Sequence, residues 1–279
     1  MIVDAHHHLW DPARGDYDWM PKDVAVLNRV YGPADMAPEL EAVGVEKTVL
    51  VQAAATVAET DYMLALADAT DWIGAVVGWV DFEDPSERQT LERLSAHPKF
   101  RGVRPMIQDL PDRDWMLRDD IQWAFEVLME LDLSFDMLGL PEHLTNTHTL
   151  MTRYPDLRTV YDHCMKPQIR EAREGGDPFP AWAEGMARLA RDTSGMCKLS
   201  GLATEAGREW SLADLRPYAQ HVLDVFGPSR VMWGSDWPVC RFAAEYQVWW
   251  SAAQELTEGL SQEERGAVFG GNAAQFYRI

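Results

Sequence analysis

Cysteines and basic residues are scarce in this chain of 279 residues. Its three cysteines, Cys164, Cys197 and Cys240, are far apart and form no Cys-x-x-Cys pair, which argues against both a disulfide framework and a thiolate zinc site. Lysine and arginine number 25 against 45 acidic residues, so the formal net charge is -20. Because such a chain repels phosphate backbones and anionic lipids, we expect no nucleic-acid or membrane partner.

Several other sequence features are missing. No apolar run reaches the roughly 18 residues that a membrane-spanning helix needs, and no basic segment precedes an apolar one as in a secretory signal. There is no Gly-x-Gly-x-x-Gly after the first predicted strand and no Gly-x-Ser-x-Gly elbow, which disfavours a dinucleotide-binding sheet and a serine hydrolase. We therefore expect a cytoplasmic protein that acts on a small molecule, with a homo-oligomer left open.

The chain does contain a regular alternation of short β-rich segments and longer amphipathic ones. Eight strand-plus-helix units over roughly 250 residues are typical of an α/β protein of the (β/α)8 TIM-barrel type. The sequence thus predicts a single barrel domain spanning residues 1–279. The predicted strands are 2–9, 47–53, 73–80, 102–107, 133–138, 159–164, 196–201 and 231–235.

The first predicted strand ends in a His-x-His pair, His6 and His8. Side chains alternate between the two faces of a strand, so these imidazoles are expected on one face together with Asp4. Two imidazoles on one wall can hold a metal ion. Adjacent histidines also occur as hydrogen-bonded core residues, so the pair alone leaves both interpretations open.

Further polar residues stand at or near the ends of other predicted strands. Active sites of this fold lie at the C-terminal ends of the strands, and polar side chains inside apolar strands are costly unless they have partners. The shared position favours one common site over unrelated structural roles. These residues are Arg104 in strand four, His163 in strand six, Lys198 and Ser200 in strand seven, and Asp236 after strand eight.

Six short motifs together resemble the amidohydrolase superfamily of the amidohydrolase 2 type. Within it, the chain resembles the sugar-lactonase branch, which contains L-fuconolactonase-like and L-rhamnonolactonase-like hydrolases. The likeness runs essentially from end to end. The motifs are Asp4-Ala5-His6-His7-His8-Leu9-Trp10, Phe100-Arg101-Gly102-Val103-Arg104, Asp162-His163-Cys164-Met165-Lys166-Pro167, Lys198-Leu199-Ser200-Gly201-Leu202, Gly234-Ser235-Asp236-Trp237-Pro238 and Gly271-Asn272-Ala273.

This resemblance implies a metal-binding or metal-derived site. Carried over by position, the candidate ligands are His6, His8, His163 and Asp236. Binuclear members use a lysine or glutamate on strand four and a histidine on strand five, where this chain has Arg104 and Asp136. The resemblance therefore implies at most one divalent ion, zinc or manganese, which some members of the branch do without.

The expected reaction is hydrolysis of a sugar-acid lactone, specifically an aldono-1,4-lactone. Asp236 is predicted as the general base and proton carrier, Arg104 as the group that stabilises the oxyanion, and His163 as a third catalytic residue. A covalent mechanism through Ser200 is a weaker alternative, because no base stands near it in the sequence. Two other functions remain open, a metal-dependent decarboxylase of an aromatic or unsaturated acid and a non-catalytic sugar-acid binding protein.

Specificity is expected to come from loops. The segment 11–33 after the first strand is long for a compact connection, which suggests a lid or binding loop. Aromatic faces beside polar groups suit a sugar ring, although such residues more often serve packing. The predicted substrate-binding residues are Trp19, Lys22, Gln52, Asp109, Trp115 and Trp237.

Overall fold

The computed structural model describes residues 1–279 and contains eight parallel strands that pair in chain order. Helices follow every strand and surround the sheet, so the predicted (β/α)8 barrel is confirmed. The strands are β1 Val3–His7, β2 Lys47–Val51, β3 Ile73–Gly78, β4 Phe100–Val103, β5 Ser134–Met137, β6 Thr159–Tyr161, β7 Met196–Leu199 and β8 Val231–Trp233.

The helices begin at the capping and proline signals of the sequence. Asp84 caps the turn before α3, and Ser211 forms a capping box with Asp214 at the start of α9. None of the helices is both long and apolar enough to cross a membrane. The α-helices are α1 Pro33–Val43, α2 Val57–Asp68, α3 Arg88–Ser95, α4 Gln122–Glu130, α5 Leu144–Arg153, α6 Ile169–Arg173, α7 Phe179–Asp192, α8 Leu202–Ala206, α9 Leu212–Phe226, α10 Tyr246–Leu256, α11 Gln262–Gly266 and α12 Asn272–Tyr277.

The observed strands are shorter than predicted at their C-terminal ends. The predicted segment 159–164 ends as a strand at Tyr161, and β4 begins at Phe100 and ends at Val103 instead of covering 102–107. Arg104 is therefore the first residue after β4, although its N–H still donates to Gly78 O at 2.9 Å. The regular ladder stops where the backbone leaves the sheet to form the barrel mouth, and apolar sequence patterns do not mark that point.

A register shift in β1 corrects the predicted arrangement of the first motif. Asp4 pairs with Thr48 of β2, but His7 pairs with Leu50, so β1 has one extra residue between these pairs, as in a β-bulge. The Asp4 carboxylate accepts hydrogen bonds from Tyr246 Oη of α10 at 3.1 Å and from Ser235 N at 2.8 Å. Asp4 therefore does not share a face with His6 and His8, and that prediction is wrong because the bulge breaks the alternation.

The barrel closes at a seam between the first strand and the segment after β8. His8 N donates to Trp237 O at 2.7 Å, and Asp236 N donates to His6 O at 2.8 Å. These bonds join residues near the two ends of the chain. They bring the His-x-His pair beside Asp236.

Two layers of apolar side chains stabilise the barrel. A large cluster fills the space between strands and helices, whereas a small one lies among the strands and includes Val3, Val49, Ala75 and Val160. The small cluster also contains Tyr277, which is fully buried. Helix α12 therefore packs across the N-terminal end of the barrel, opposite the mouth.

Candidate active site

A cavity of about 310 Å³ opens at the C-terminal mouth of the barrel. Four of the predicted catalytic and metal-binding residues line it: His8, Arg104, His163 and Asp236. Its size is at the lower end for sites that hold small molecules. The structure thus brings together residues that the sequence separates by more than two hundred positions.

The Asp236 carboxylate lies among three imidazoles. Its Oδ1 is 3.4 Å from His8 Nε2, 3.8 Å from His6 Nε2 and 3.8 Å from His163 Nε2. Asp236 reaches this position because its N–H is bonded to His6 O in the seam and its backbone is left-handed, with φ of 58°. All four side chains are almost completely buried.

The outer nitrogens of two imidazoles are held by other groups. His8 Nδ1 is 2.8 Å from Val51 O, which can only accept, so this nitrogen carries the hydrogen. His163 Nδ1 is 2.9 Å from Ser200 Oγ. Both rings therefore present Nε2 toward Asp236. Ser200 thus orients the His163 ring, a role that its position in the sequence does not reveal.

Burial sets the charge of these groups at neutral pH. It lowers the pKa of His8 below its ordinary value and the pKa of His163 to about 4, so both rings are neutral. Burial alone would raise the pKa of Asp236, but His163, His8 and Lys166 outweigh it and lower that pKa. Asp236 is therefore an ionised carboxylate that can accept a proton.

The same groups fit a metal ion. Ligand atoms of His6, His163 and Asp236 all lie within 4.8 Å of one another, and His8 Nε2 is 3.3 Å from His6 Nε2. Neutral imidazole nitrogens with one carboxylate suit zinc or another borderline divalent ion. Asp136, at the strand-five position, accepts from Lys198 Nζ at 2.6 Å instead of facing these ligands.

A buried charged network lies directly beneath the cavity. Lys198 Nζ is 2.6 Å from Asp136 Oδ2, 2.9 Å from Asp162 Oδ1 and 3.1 Å from His6 Nδ1. Burial acts to raise the pKa of Asp162, but Lys198 and His6 hold it well below its ordinary value. The network holds the His6 ring at Nδ1, because the Lys198 ammonium and the Asp162 carboxylate both face that nitrogen.

Asp162 and Tyr277 also belong to this layer, although neither was predicted as a site residue. Asp162 accepts from Arg104 Nη1 at 3.4 Å, and Tyr277 Oη donates to Asp136 Oδ2 at 2.6 Å. Asp162 stands next to His163 in the sequence, so its motif contained a usable signal. Tyr277 had none, because only the folded chain shows that α12 lies under the barrel.

An unusual backbone turn positions His163. Four consecutive residues, His163, Cys164, Met165 and Lys166, have φ of 52°, 52°, 55° and 48°. Each left-handed non-glycine residue costs about 1–2 kcal/mol, so packing must hold the turn in place. Trp182 Nε1 donates to Cys164 O at 2.8 Å. The turn directs both His163 and Lys166 toward the cavity.

The predicted substrate-binding residues fall into two groups. Trp19 and Asp109 line the cavity, together with Gln108 and Lys166, which were not among those predicted. Trp19 is held by a hydrogen bond from Nε1 to Ala53 O at 2.6 Å. The first group therefore remains a set of candidates for contact with a substrate.

The other four predicted residues do not line this cavity. Gln52 Nε2 donates to the backbone oxygen of Arg104, so Gln52 supports the site from behind. Trp115 Nε1 donates to Glu83 at 2.8 Å, Trp237 packs edge-on against Tyr31, and Lys22 lies in the loop before α1. Their proposed contact with a substrate stays a prediction.

A closed barrel of parallel strands with imidazoles and an aspartate at its C-terminal mouth is the arrangement of the (β/α)8-barrel enzymes. Comparison with known proteins gives the particular family. Residues 3–279 match the family model described as Amidohydrolase. The chain therefore belongs to the amidohydrolase family, which confirms the predicted family and the prediction of an enzyme.

The chain is similar to two proteins named L-fucono-1,5-lactonase. The one from Burkholderia ambifaria is 42% identical over 99% of this chain and 95% of that protein, and the one from Burkholderia multivorans is 36% identical over 99% and 96%. An amidohydrolase structure from Burkholderia multivorans with bound HEPES superposes with a TM-score of 0.92 at 35% identity, covering 100% and 99% of the two chains. A second crystal form has bound Zn. Together with the donor set described above, this supports a divalent metal ion in the family site.

Proposed function

We propose that this protein hydrolyses the lactones of sugar acids. The observation that carries the proposal is the ionised Asp236 carboxylate among neutral imidazoles in a solvent-accessible cavity. Such a group can activate water for attack on an ester carbonyl. The similarity to proteins named as lactonases supports the same reaction class.

The chain's own residues supply the expected steps. Asp236 accepts a proton from water as the water oxygen attacks the lactone carbonyl. Arg104 lines the cavity with a permanent positive charge and stabilises the negative charge that develops on the carbonyl oxygen. His163 presents Nε2 beside Asp236 and helps to position the water.

His6, His8, His163 and Asp236 would hold a divalent ion of the zinc or manganese type. When bound, such an ion supplies Lewis-acid polarisation of the carbonyl and lowers the pKa of a bound water. Arg104 also offers a permanent positive charge to the carbonyl oxygen, with or without such an ion.

The substrate we favour is an aldonolactone with several hydroxyl groups. Trp19 offers an aromatic face to the sugar ring, and Asp109 offers a carboxylate to its hydroxyl groups. The sequence predicted a 1,4-lactone, whereas two relatives are named as 1,5-lactonases. We therefore propose a 1,5-lactone as the first substrate to test, with the 1,4-lactone beside it.

The test is a screen of aldono-1,5- and aldono-1,4-lactones with a pH indicator, because hydrolysis releases one proton per turnover. Asp236→Asn should lower kcat by about 100-fold or more, in the range expected for loss of a general base. Asp61→Asn, which removes an exposed partner of Arg93, is the matched control. Absence of hydrolysis above background would refute the proposal.

The same screen addresses the two alternatives. Release of carbon dioxide from aromatic or unsaturated acids with strict metal dependence would favour the decarboxylase. Binding of an aldonolactone without turnover would favour the non-catalytic protein. Both outcomes contradict the hydrolase.

A further inference from the structure

Two basic side chains line the cavity, those of Arg104 and Lys166. Only the Lys166 side chain makes no hydrogen bond within the protein. Its Nζ makes no hydrogen bond, and its only ion pair is with Glu205 Oε1 at 3.9 Å. Both side chains are mostly buried, with exposed fractions of 21% and 25%. By contrast, Arg104 donates to Gln52 O and Asp162 and also contacts His6.

The turn that places Lys166 is built by costly backbone geometry. Lys166 is the last of the four left-handed residues and is followed directly by Pro167. Because His163 lies at the other end of the same turn, the geometry that aims His163 also brings Lys166 to the cavity.

The other cavity-lining donors are already engaged within the protein. His8 and His163 direct Nδ1 to Val51 O and Ser200 Oγ, away from the cavity. Trp19 Nε1 donates to Ala53 O. An arginine side chain does not release a proton in proteins. Among these groups, Lys166 alone combines a free donor with a transferable proton.

Resting on the proposed lactone hydrolysis, we propose that Lys166 is a catalytic residue that protonates the departing ring oxygen of the lactone. Water attacks the carbonyl carbon while Asp236 accepts one of its protons. The bond from that carbon to the ring oxygen then breaks, its electron pair goes to the ring oxygen, and this oxygen takes a proton from Lys166 Nζ. The product carboxylic acid returns a proton to the neutral Lys166 amine, and Asp236 loses its proton to solvent.

This arrangement divides the proton transfers between two residues. An alkoxide is a poor leaving group unless a proton arrives as the bond breaks, and the flexible four-carbon stem of a lysine can follow the ring oxygen as it moves away. Glu205 Oε1 lies 3.9 Å from Lys166 Nζ and is the one acidic group that pairs with it.

The test compares Lys166→Met with Lys166→Arg on the aldonolactone that wild type hydrolyses best. Lys166→Met should lower kcat by about 100-fold or more, with KM changed by less than about threefold. Lys166→Arg keeps the charge but has no transferable proton, so its kcat should stay within about tenfold of the Lys166→Met value. Thermal unfolding of each variant checks that the fold is retained.

Lys47→Met is the matched control. Lys47 opens β2 at the opposite end of the barrel, where its Nζ donates to Asp71 O at 2.7 Å. Its loss should leave kcat and KM at wild-type values.

Three results would overturn the role of Lys166. They are wild-type kcat in Lys166→Met, a raised KM with unchanged kcat, and recovery of at least about a third of wild-type kcat in Lys166→Arg, which would mean that charge alone suffices. These results are distinct from a refutation of lactone hydrolysis itself, in which the wild-type protein would hydrolyse no aldonolactone.

Discussion

Replacing Tyr277 by phenylalanine should weaken both the fold and the reaction, although this residue lies at the opposite end of the barrel from the cavity. The substitution removes one hydroxyl group, which donates to Asp136 Oδ2 at 2.6 Å. Asp136 also accepts from Lys198 at 2.6 Å, and Lys198 contacts His6 at 3.1 Å. The Tyr277 hydroxyl is thus three contacts away from the imidazole ring of His6.

The expected magnitudes follow from that chain of contacts. A hydrogen bond to a charged group contributes about 1.5–3 kcal/mol, and Tyr277 is fully buried, so water cannot replace it. The free energy of unfolding should therefore fall by about 2 kcal/mol. If Lys198 and then His6 shift, kcat should fall by about tenfold, which corresponds to about 1.4 kcal/mol of transition-state stabilisation.

Urea unfolding and aldonolactone kinetics measure the two effects. Tyr161→Phe is the control, since it also removes a buried hydroxyl, but one that lies 2.8 Å from Thr193 Oγ1 outside the barrel. It should cost about 1 kcal/mol of stability and leave kcat unchanged. Equal kcat values in Tyr277→Phe and wild type would refute the idea that α12 positions the site. A stability loss below about 0.5 kcal/mol would refute the assigned strength of the bond.

Three further predictions concern other parts of the structure. Burial lowers the pKa of His7 to about 3, below the 6.5 of an unfolded chain, so the unfolded state binds the proton first and stability falls as the pH drops below about 6.5. Between pH 7 and pH 5 urea unfolding should show a loss of about 2 kcal/mol more in wild type than in His7→Asn; equal losses would contradict this. Gly201→Ala should lower both activity and melting temperature, because Gly201 has φ of 70° and an added Cβ would lie 2.8 Å from His163 Cβ; unchanged values would show that the turn can relax. His163→Asn should bind zinc more weakly in equilibrium dialysis, whereas His148→Asn, whose side chain pairs with Asp192 at 3.0 Å on the outside of the barrel, should bind it as wild type does.

The sequence was sufficient to predict the fold and the location of several candidate site residues at one end of the barrel. Alternation of β-rich and amphipathic segments identified all eight strands. Once the barrel is predicted, His8, Arg104, His163 and Asp236 are expected at its C-terminal mouth, because the carboxyl ends of all the strands meet there. All four line the cavity.

Other features depend on tertiary structure and could not be predicted. The β1 bulge places the Asp4 side chain on the other face from the His6 ring, and it depends on pairing with β2 rather than on local residue preference. Tyr277 reaches Asp136 only because α12 folds back under the strands. Trp115 packs against Phe82 and Trp237 against Tyr31, contacts that the sequence does not show because they join residues distant in the chain.

The seam between His6, His8, Asp236 and Trp237 has a consequence for how activity is acquired during folding. These pairs are separated by nearly the full length of the chain, so their formation carries a large loop-closure entropy and contributes to slow folding. Half-barrel fragments would contain either the imidazoles of the first strand or the aspartate, but never both. In a refolding experiment, recovery of turnover should therefore coincide with the last phase of structure formation, after most helical signal has returned.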